Sequence, residues 1–198
     1  MSDLTRRDIL QRVAMAIAAA ATFDKLDAQE IHHMVEMQTP SGGTYTPASL
    51  SVHEYRTVER LADLIIPVEN GKPGALEAGA PAWIDMLAGV NAQLKDVYVK
   101  GVAWLDTAMT SRGATDFVSA TPAQQTAMLD QIAFRRNGEQ TPDLQPGIQF
   151  FNWVRRMTVD GFYTSRIGMR DIYQGNTALA QFTVPAASLE YALKKSGL

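Results

Sequence analysis

The chain carries three histidines, His32, His33 and His53, and these are the first residues to test for chemistry. Glu30 and His33 stand at i and i+3, the spacing used by di-iron carboxylate bundles. Such a site needs a second Glu-x-x-His pair and further glutamates on facing helices. No second Glu-x-x-His occurs in the sequence, so the pair reads as solvated side chains and no metal ligand is assigned. A serine hydrolase would need a Gly-x-Ser-x-Gly elbow between a strand and a helix. The nearest stretch, "GFYTSRIG", does not have that form. A dinucleotide site needs Gly-x-Gly-x-x-Gly after a strand. The glycines of "NGKPGALEAG" have the wrong spacing and follow a helical pattern. There is no cysteine, which removes disulfides, thiolate zinc sites, cysteine-ligated iron-sulfur clusters, thiol nucleophiles and covalent c-type haem. No nucleophile, base and oxyanion donor come together, and the expectation is a chain with no catalytic, cofactor-binding or metal-ligating residues of its own.

A different signal sits at the start. Thr5, Arg6, Arg7, Ile9 and Leu10 fit the twin-arginine export pattern, and an alanine-rich apolar run follows. The uncharged stretch from Val13 to Phe23 is eleven residues long. A membrane-spanning helix needs about 20, so no span is expected here. Arg6 and Arg7 are therefore read as an export signal directing the chain to the periplasm, with an ordinary N-terminal helix as the alternative and a cytoplasmic location if the signal is not used.

Arginines at 135, 136, 155, 156, 166 and 170 could pair with carboxylates across an interface, although solvated helix ends are the commoner use of such residues. Trp83, Trp104 and Trp153 stand within helical patterns and read first as core. An exposed tryptophan among them would instead point to a binding anchor.

These side chains must be positioned by helices. "SVHEYRTVERLADLIIP" repeats apolar residues at helical spacing, with Ser51 and Glu54 as a capping box and Pro67 as the stop. "VENGKPGALEAGAP" must be a connection with tight turns. Residues 82 to 110 are helical in pattern, as one long helix or two short ones. "TPAQQTAMLDQIAFRRNG" opens with Thr121 as N-cap, Pro122 at the first position and Gln124 at the third, and runs to Gly138. A further helix is expected over about 146–163, then a loop containing Gly168, Gly175 and Asn176, then a short C-terminal helix ending near Lys194 and Lys195. No alternating run long enough for a strand is present. The expected fold is all-α, an irregular single-domain helical bundle with long glycine- and proline-rich connections. Residues 1–38 form an N-terminal signal and helical segment, 39–50 a linker, and 51–198 the helical domain. Hydrophobic residues make up 46% and charged residues 20%, enough apolar matter for a core and too little charge for extensive disorder. A net charge of -3 offers no footprint for nucleic acid.

Two blocks, "ERLADLIIPVENGKPGALEAGAPAWIDMLA" and "FFNWVRRMTVDGFYTSRIGMRDIYQGN", downstream of a twin-arginine leader, resemble the gluconate 2-dehydrogenase subunit 3 family. The resemblance implies a non-catalytic small subunit. Its partner would be an FAD-dependent dehydrogenase of the glucose-methanol-choline type that oxidises sugars, sugar acids or polyols, sometimes completed by a cytochrome c subunit. FAD would belong to the partner, and the small subunit would carry the export signal for both. The aromatic, arginine and glycine mixture from Phe150 to Asn176 suits an interface, and Phe162, Tyr163, Arg166 and Tyr173 are its expected contacts. An independent helical enzyme or ligand-binding protein with an unrecognised site is the competing reading.

Overall fold

The structure is a computed structural model that describes residues 26–39, 44–173, 184 and 186–196, and of residues 26–29 and 171–173 it describes the backbone alone. Arg6 and Arg7, the twin-arginine pattern, and Gly175 and Asn176 lie outside the described residues. The chain is all-α, as expected. Its helices are α1 (Leu26–Gln38), α2 (Val52–Ile65), α3 (Ala80–Val90), α4 (Ala92–Thr110), α5 (Pro122–Ile132), α6 (Arg135–Gln140), α7 (Gln145–Tyr163), α8 (Arg166–Tyr173) and α9 (Ala186–Ser196), with a 3-10 turn over Pro142–Leu144.

Local chemistry explains the helix ends. Ser51 Oγ accepts from the Glu54 N–H while the Glu54 carboxylate accepts from the Ser51 N–H, so two amides that α2 cannot pair internally are satisfied. Thr121 and Gln124 do the same for α5. The open question over residues 82 to 110 resolves as two helices. Asn91 ends α3 and its side chain accepts from the Leu94 N–H to start α4.

α3 forms the centre. It is apolar nearly all round, and every residue from Ala80 to Ala88 is buried, which is what such a helix requires. α7 lies against α2, α3, α4 and α5. Val58 and Leu61 of α2, Ile84 and Met86 of α3, Tyr98, Val102 and Leu105 of α4, Met128 of α5 and Phe150 and Val154 of α7 share one core. Two glycines allow α4 and α7 to approach so closely: a Cβ at Gly101 would lie 2.1 Å from the Phe150 ring, and one at Gly147 would lie 2.1 Å from the Trp104 ring.

Three sequence expectations are corrected. First, the stretch assigned as a linker is fastened to the core. Leu50 is buried, and the fully buried carboxylate of Asp85 on α3 accepts from the N–H groups of Ala48, Ser49 and Leu50 and from the Tyr45 hydroxyl. α1, placed with the N-terminal segment, also joins the core through Ile31 and Val35. Second, the helix begun at Thr121 does not reach Gly138. It stops at Ile132, Phe134 takes an extended conformation, and Arg135 and Arg136 open α6 instead of closing α5. Third, Gly168 lies within a helix, α8, not in a loop.

Candidate partner-binding surface

The α7–α8 corner is built by one hydroxyl and one glycine. Ser165 Oγ donates to the Phe162 carbonyl at 2.6 Å and accepts from the Gly168 N–H at 3.0 Å, closing α7 and opening α8 within a few residues. A Cβ at Gly168 would fall 2.0 Å from the Phe162 carbonyl oxygen, so only glycine lets the two helices fold back this tightly. The corner brings Phe162, Tyr163, Ile167 and Arg170 to one edge.

Facing that edge is a small hairpin after α2. Asn70 and Gly71 have φ of 52° and 75°, and Glu69 and Lys72 exchange two backbone hydrogen bonds across them. Positive φ at both central residues is the geometry of a type I′ turn, and Asn-Gly is its preferred dipeptide. Gly74 packs beneath: a Cβ there would meet the Ile66 carbonyl oxygen at 2.6 Å. Between hairpin and corner runs a groove of about 590 Å³, walled by Ile66, Pro67, Lys72 and Pro73 on one side and Tyr163, Ile167 and Arg170 on the other. The groove combines apolar walls, prolines that offer no amide donor, an exposed tyrosine, two cationic side chains and the Glu69 carboxylate, a mixture typical of protein contacts.

α1 braces this corner. The His32 ring stacks on Trp83 with centroids 5.9 Å apart, and its Nε2 is hydrogen bonded to Thr164 Oγ1 at 2.9 Å. Burial lowers the His32 pKa below its ordinary value, against the opposing pull of Glu36. Glu36 also stands 3.8 Å from the Arg166 guanidinium.

Of the expected contacts, Tyr163 is 40% exposed and Phe162 only 4%, with the two rings in edge-to-face contact at 5.0 Å. Tyr163 thus forms a projecting wall and Phe162 the support beneath it. Arg166 is exposed on the first turn of α8. The side chain of Tyr173 lies outside the described residues. Sequence reasoning passed over Ile167, Lys72 and Pro67, and the signal for the last two was the Asn-Gly dipeptide, which marks a hairpin.

Among the described residues, His53 is the one histidine hydrogen bonded to a carboxylate, with Nε2 2.7 Å from Asp106 Oδ2. The other Asp106 oxygen accepts from the Phe117 N–H, and no hydroxyl joins His53 Nε2 among the described residues. The pair therefore ties α2 to the end of α4. The hydrogen bond that His53 donates to Asp106 raises the His53 pKa above its ordinary value, opposed by a smaller loss of solvation. Glu30 and His33 are exposed, and among the described residues no group of three or more His, Asp or Glu side chains is placed to hold a metal ion. Among those residues, too, no helix is long and apolar enough to cross a membrane.

A comparison with protein families matches residues 52–180 to the model described as Gluconate 2-dehydrogenase subunit 3. The chain belongs to the gluconate 2-dehydrogenase subunit 3 family. Membership makes it an accessory subunit of a dehydrogenase complex. Comparisons with curated proteins and with solved structures gave no match. The family match begins at the first residue of α2 and takes in the hairpin, the α7–α8 corner and the groove between them. α1 and the segment held by Asp85 precede it.

Proposed function

We propose that this subunit binds and stabilises a glucose-methanol-choline-type flavoprotein that oxidises a sugar, sugar acid or polyol. FAD and the catalytic residues belong to that partner, a cytochrome c subunit completes the complex in some assemblies, and the Arg6–Arg7 signal carries the folded pair to the periplasm. The observation that supports this reading best is the groove beside Tyr163. In a member of an accessory-subunit family, a rigid hairpin and a glycine-dependent helix corner hold an aromatic side chain and Arg170 in the open. Phe162, Tyr163, Arg166 and Tyr173 are the proposed contact residues.

Co-expression with the candidate flavoprotein, followed by size-exclusion chromatography, tests the reading. Flavin absorbance should co-elute with this chain only when both are present. Dehydrogenase activity from this chain alone would favour an independent enzyme. Tyr163→Ala should weaken the complex by about 2 kcal/mol, close to thirtyfold in Kd, as expected for an aromatic anchor. Unchanged affinity in both Tyr163→Ala and Arg166→Ala would remove this corner from the interface. In the Arg6→Lys, Arg7→Lys double variant the complex should form but stay in the cytoplasm, and undiminished periplasmic activity would sink the export assignment.

A further inference from the structure

A second groove, of about 680 Å³, runs between α6 and the outward side of α7 and shares no residue with the one beside Tyr163. Gln145, Gln149, Asn152 and Arg156 recur at spacings that place them on one side of α7. Arg135 and Glu139, one turn apart on α6, form the facing wall, and Trp153, Arg155 and the buried Ile148 complete the lining. Three guanidinium groups thus meet a single lining carboxylate, in a chain whose net charge is -3.

The arginines are held chiefly by groups that leave their charge available. The Arg156 guanidinium lies 5.9 Å from the centroid of the Trp153 ring, and Arg136, beside the groove, lies 5.2 Å from that of Phe134. Arg155 donates to the Asn152 side-chain oxygen at 3.1 Å. Arg156 also makes a long ion pair with Asp160, 3.8 Å away and beyond hydrogen-bond distance, and with both side chains exposed to solvent it neutralises little of the charge. Trp153 is 40% exposed and Phe134 51%, although burial of either ring would be favourable. Arg135 and Arg136 also occupy the first turn of α6, where the helix dipole disfavours cations. The exposed rings and the cations beside them are thus open to a partner.

The chemistry of the lining selects the occupant. Arginine forks match carboxylates, amide side chains both donate to and accept from peptide groups, and a half-exposed tryptophan is a contact anchor. Sites for small molecules enclose most of the ligand, whereas these walls are made largely of exposed side chains. A lipid surface requires cations and rings that project to a common plane, whereas here they line a concavity. We propose that the α6–α7 groove holds an extended, acidic polypeptide segment of a partner protein. The proposal does not depend on the flavoprotein contact at Tyr163.

The test uses the full chain and a fluorescein-labelled peptide of alternating glutamate and threonine, with binding read by fluorescence anisotropy. The wild-type chain should bind it, more weakly as salt is raised, and should not bind the lysine–threonine counterpart. The Arg155→Gln, Arg156→Gln double variant and Trp153→Ala should each lose about tenfold or more in affinity with unchanged melting curves, as expected when charge-assisted bonds or an aromatic anchor are removed. Arg155→Lys, Arg156→Lys should retain part of the affinity, so a general folding defect is distinguishable. Lys95→Gln, Lys100→Gln, exposed on α4 and lining neither groove, should bind as the wild type does. Absence of peptide binding, or equal binding by the wild type and the Gln double variant, would overturn the proposal. So would groove-dependent sedimentation with phosphatidylglycerol vesicles in place of peptide binding.

Discussion

Asp85→Asn isolates the contribution of one buried carboxylate with almost no change in shape. The Asp85 side chain is fully buried and takes hydrogen bonds from four donors: the Tyr45 hydroxyl at 2.8 Å and the N–H groups of Ala48 at 2.7 Å, Ser49 at 3.1 Å and Leu50 at 2.7 Å. An amide offers one oxygen and one NH2. With its oxygen kept toward Tyr45 and Ala48, the NH2 faces the Leu50 N–H, a donor against a donor. That orphaned backbone donor costs about 1–3 kcal/mol. The bonds that survive change from charge-assisted to neutral and are roughly halved in strength. Losing the buried charge works the other way, because desolvation of an ion is costly. Here the four donors offset that cost, so the net destabilisation should be about 3 kcal/mol. For a chain of this size that lowers Tm by roughly 6–12 °C. Calorimetry of the purified chain reads the shift, and limited proteolysis should show faster cleavage within residues 44–50. A Tm equal to the wild type's or higher would refute the reasoning, by showing that the desolvation cost outweighs the hydrogen bonds.

Two further predictions follow from the packing and the titratable groups. The His53 pKa is raised in the fold by its hydrogen bond to Asp106, so its stabilisation is fully present below the unfolded value near 6.5 and is lost as pH rises through the higher folded value. The urea midpoint of the wild type should therefore exceed that of His53→Gln at pH 5.5 and approach it at pH 8.5, and a gap independent of pH would contradict this. Gly101→Ala forces the buried Phe150 ring off its edge-to-face contact with Tyr98 and should cost about 2 kcal/mol in urea unfolding. No loss would mean that the ring relocates freely.

Much of the helical order was legible in the sequence because it depends on neighbours along the chain. The Ser51–Glu54 and Thr121–Gln124 caps lie within one turn, and the apolar repeat of α2 marks its buried side. The Asn70–Gly71 hairpin is equally local. The α5 stop was missed because nothing in "DQIAFRR" breaks a helix on propensity; Phe134 turns extended there, and the Asn137 side chain donates to the Asp130 and Gln131 carbonyls that the ended helix leaves over. Gly168 was misread as a loop residue because a glycine that marks a turn and one that admits a carbonyl oxygen are identical in sequence. Segment 44–50 was misread for a related reason. Its composition cannot pack by itself, and what holds it is Asp85, 35 residues further on from Leu50. The lone acid in the apolar run "APAWIDMLAGV" was the available hint. The interface residues divide in the same way. The sequence by itself determined that aromatic side chains and arginines cluster between Phe150 and Asn176, since that is composition. Only the tertiary structure decided that Phe162 is covered and Tyr163 exposed, and that Trp153 and Arg156 line a groove of their own, because burial depends on which helices pack against each side of α7.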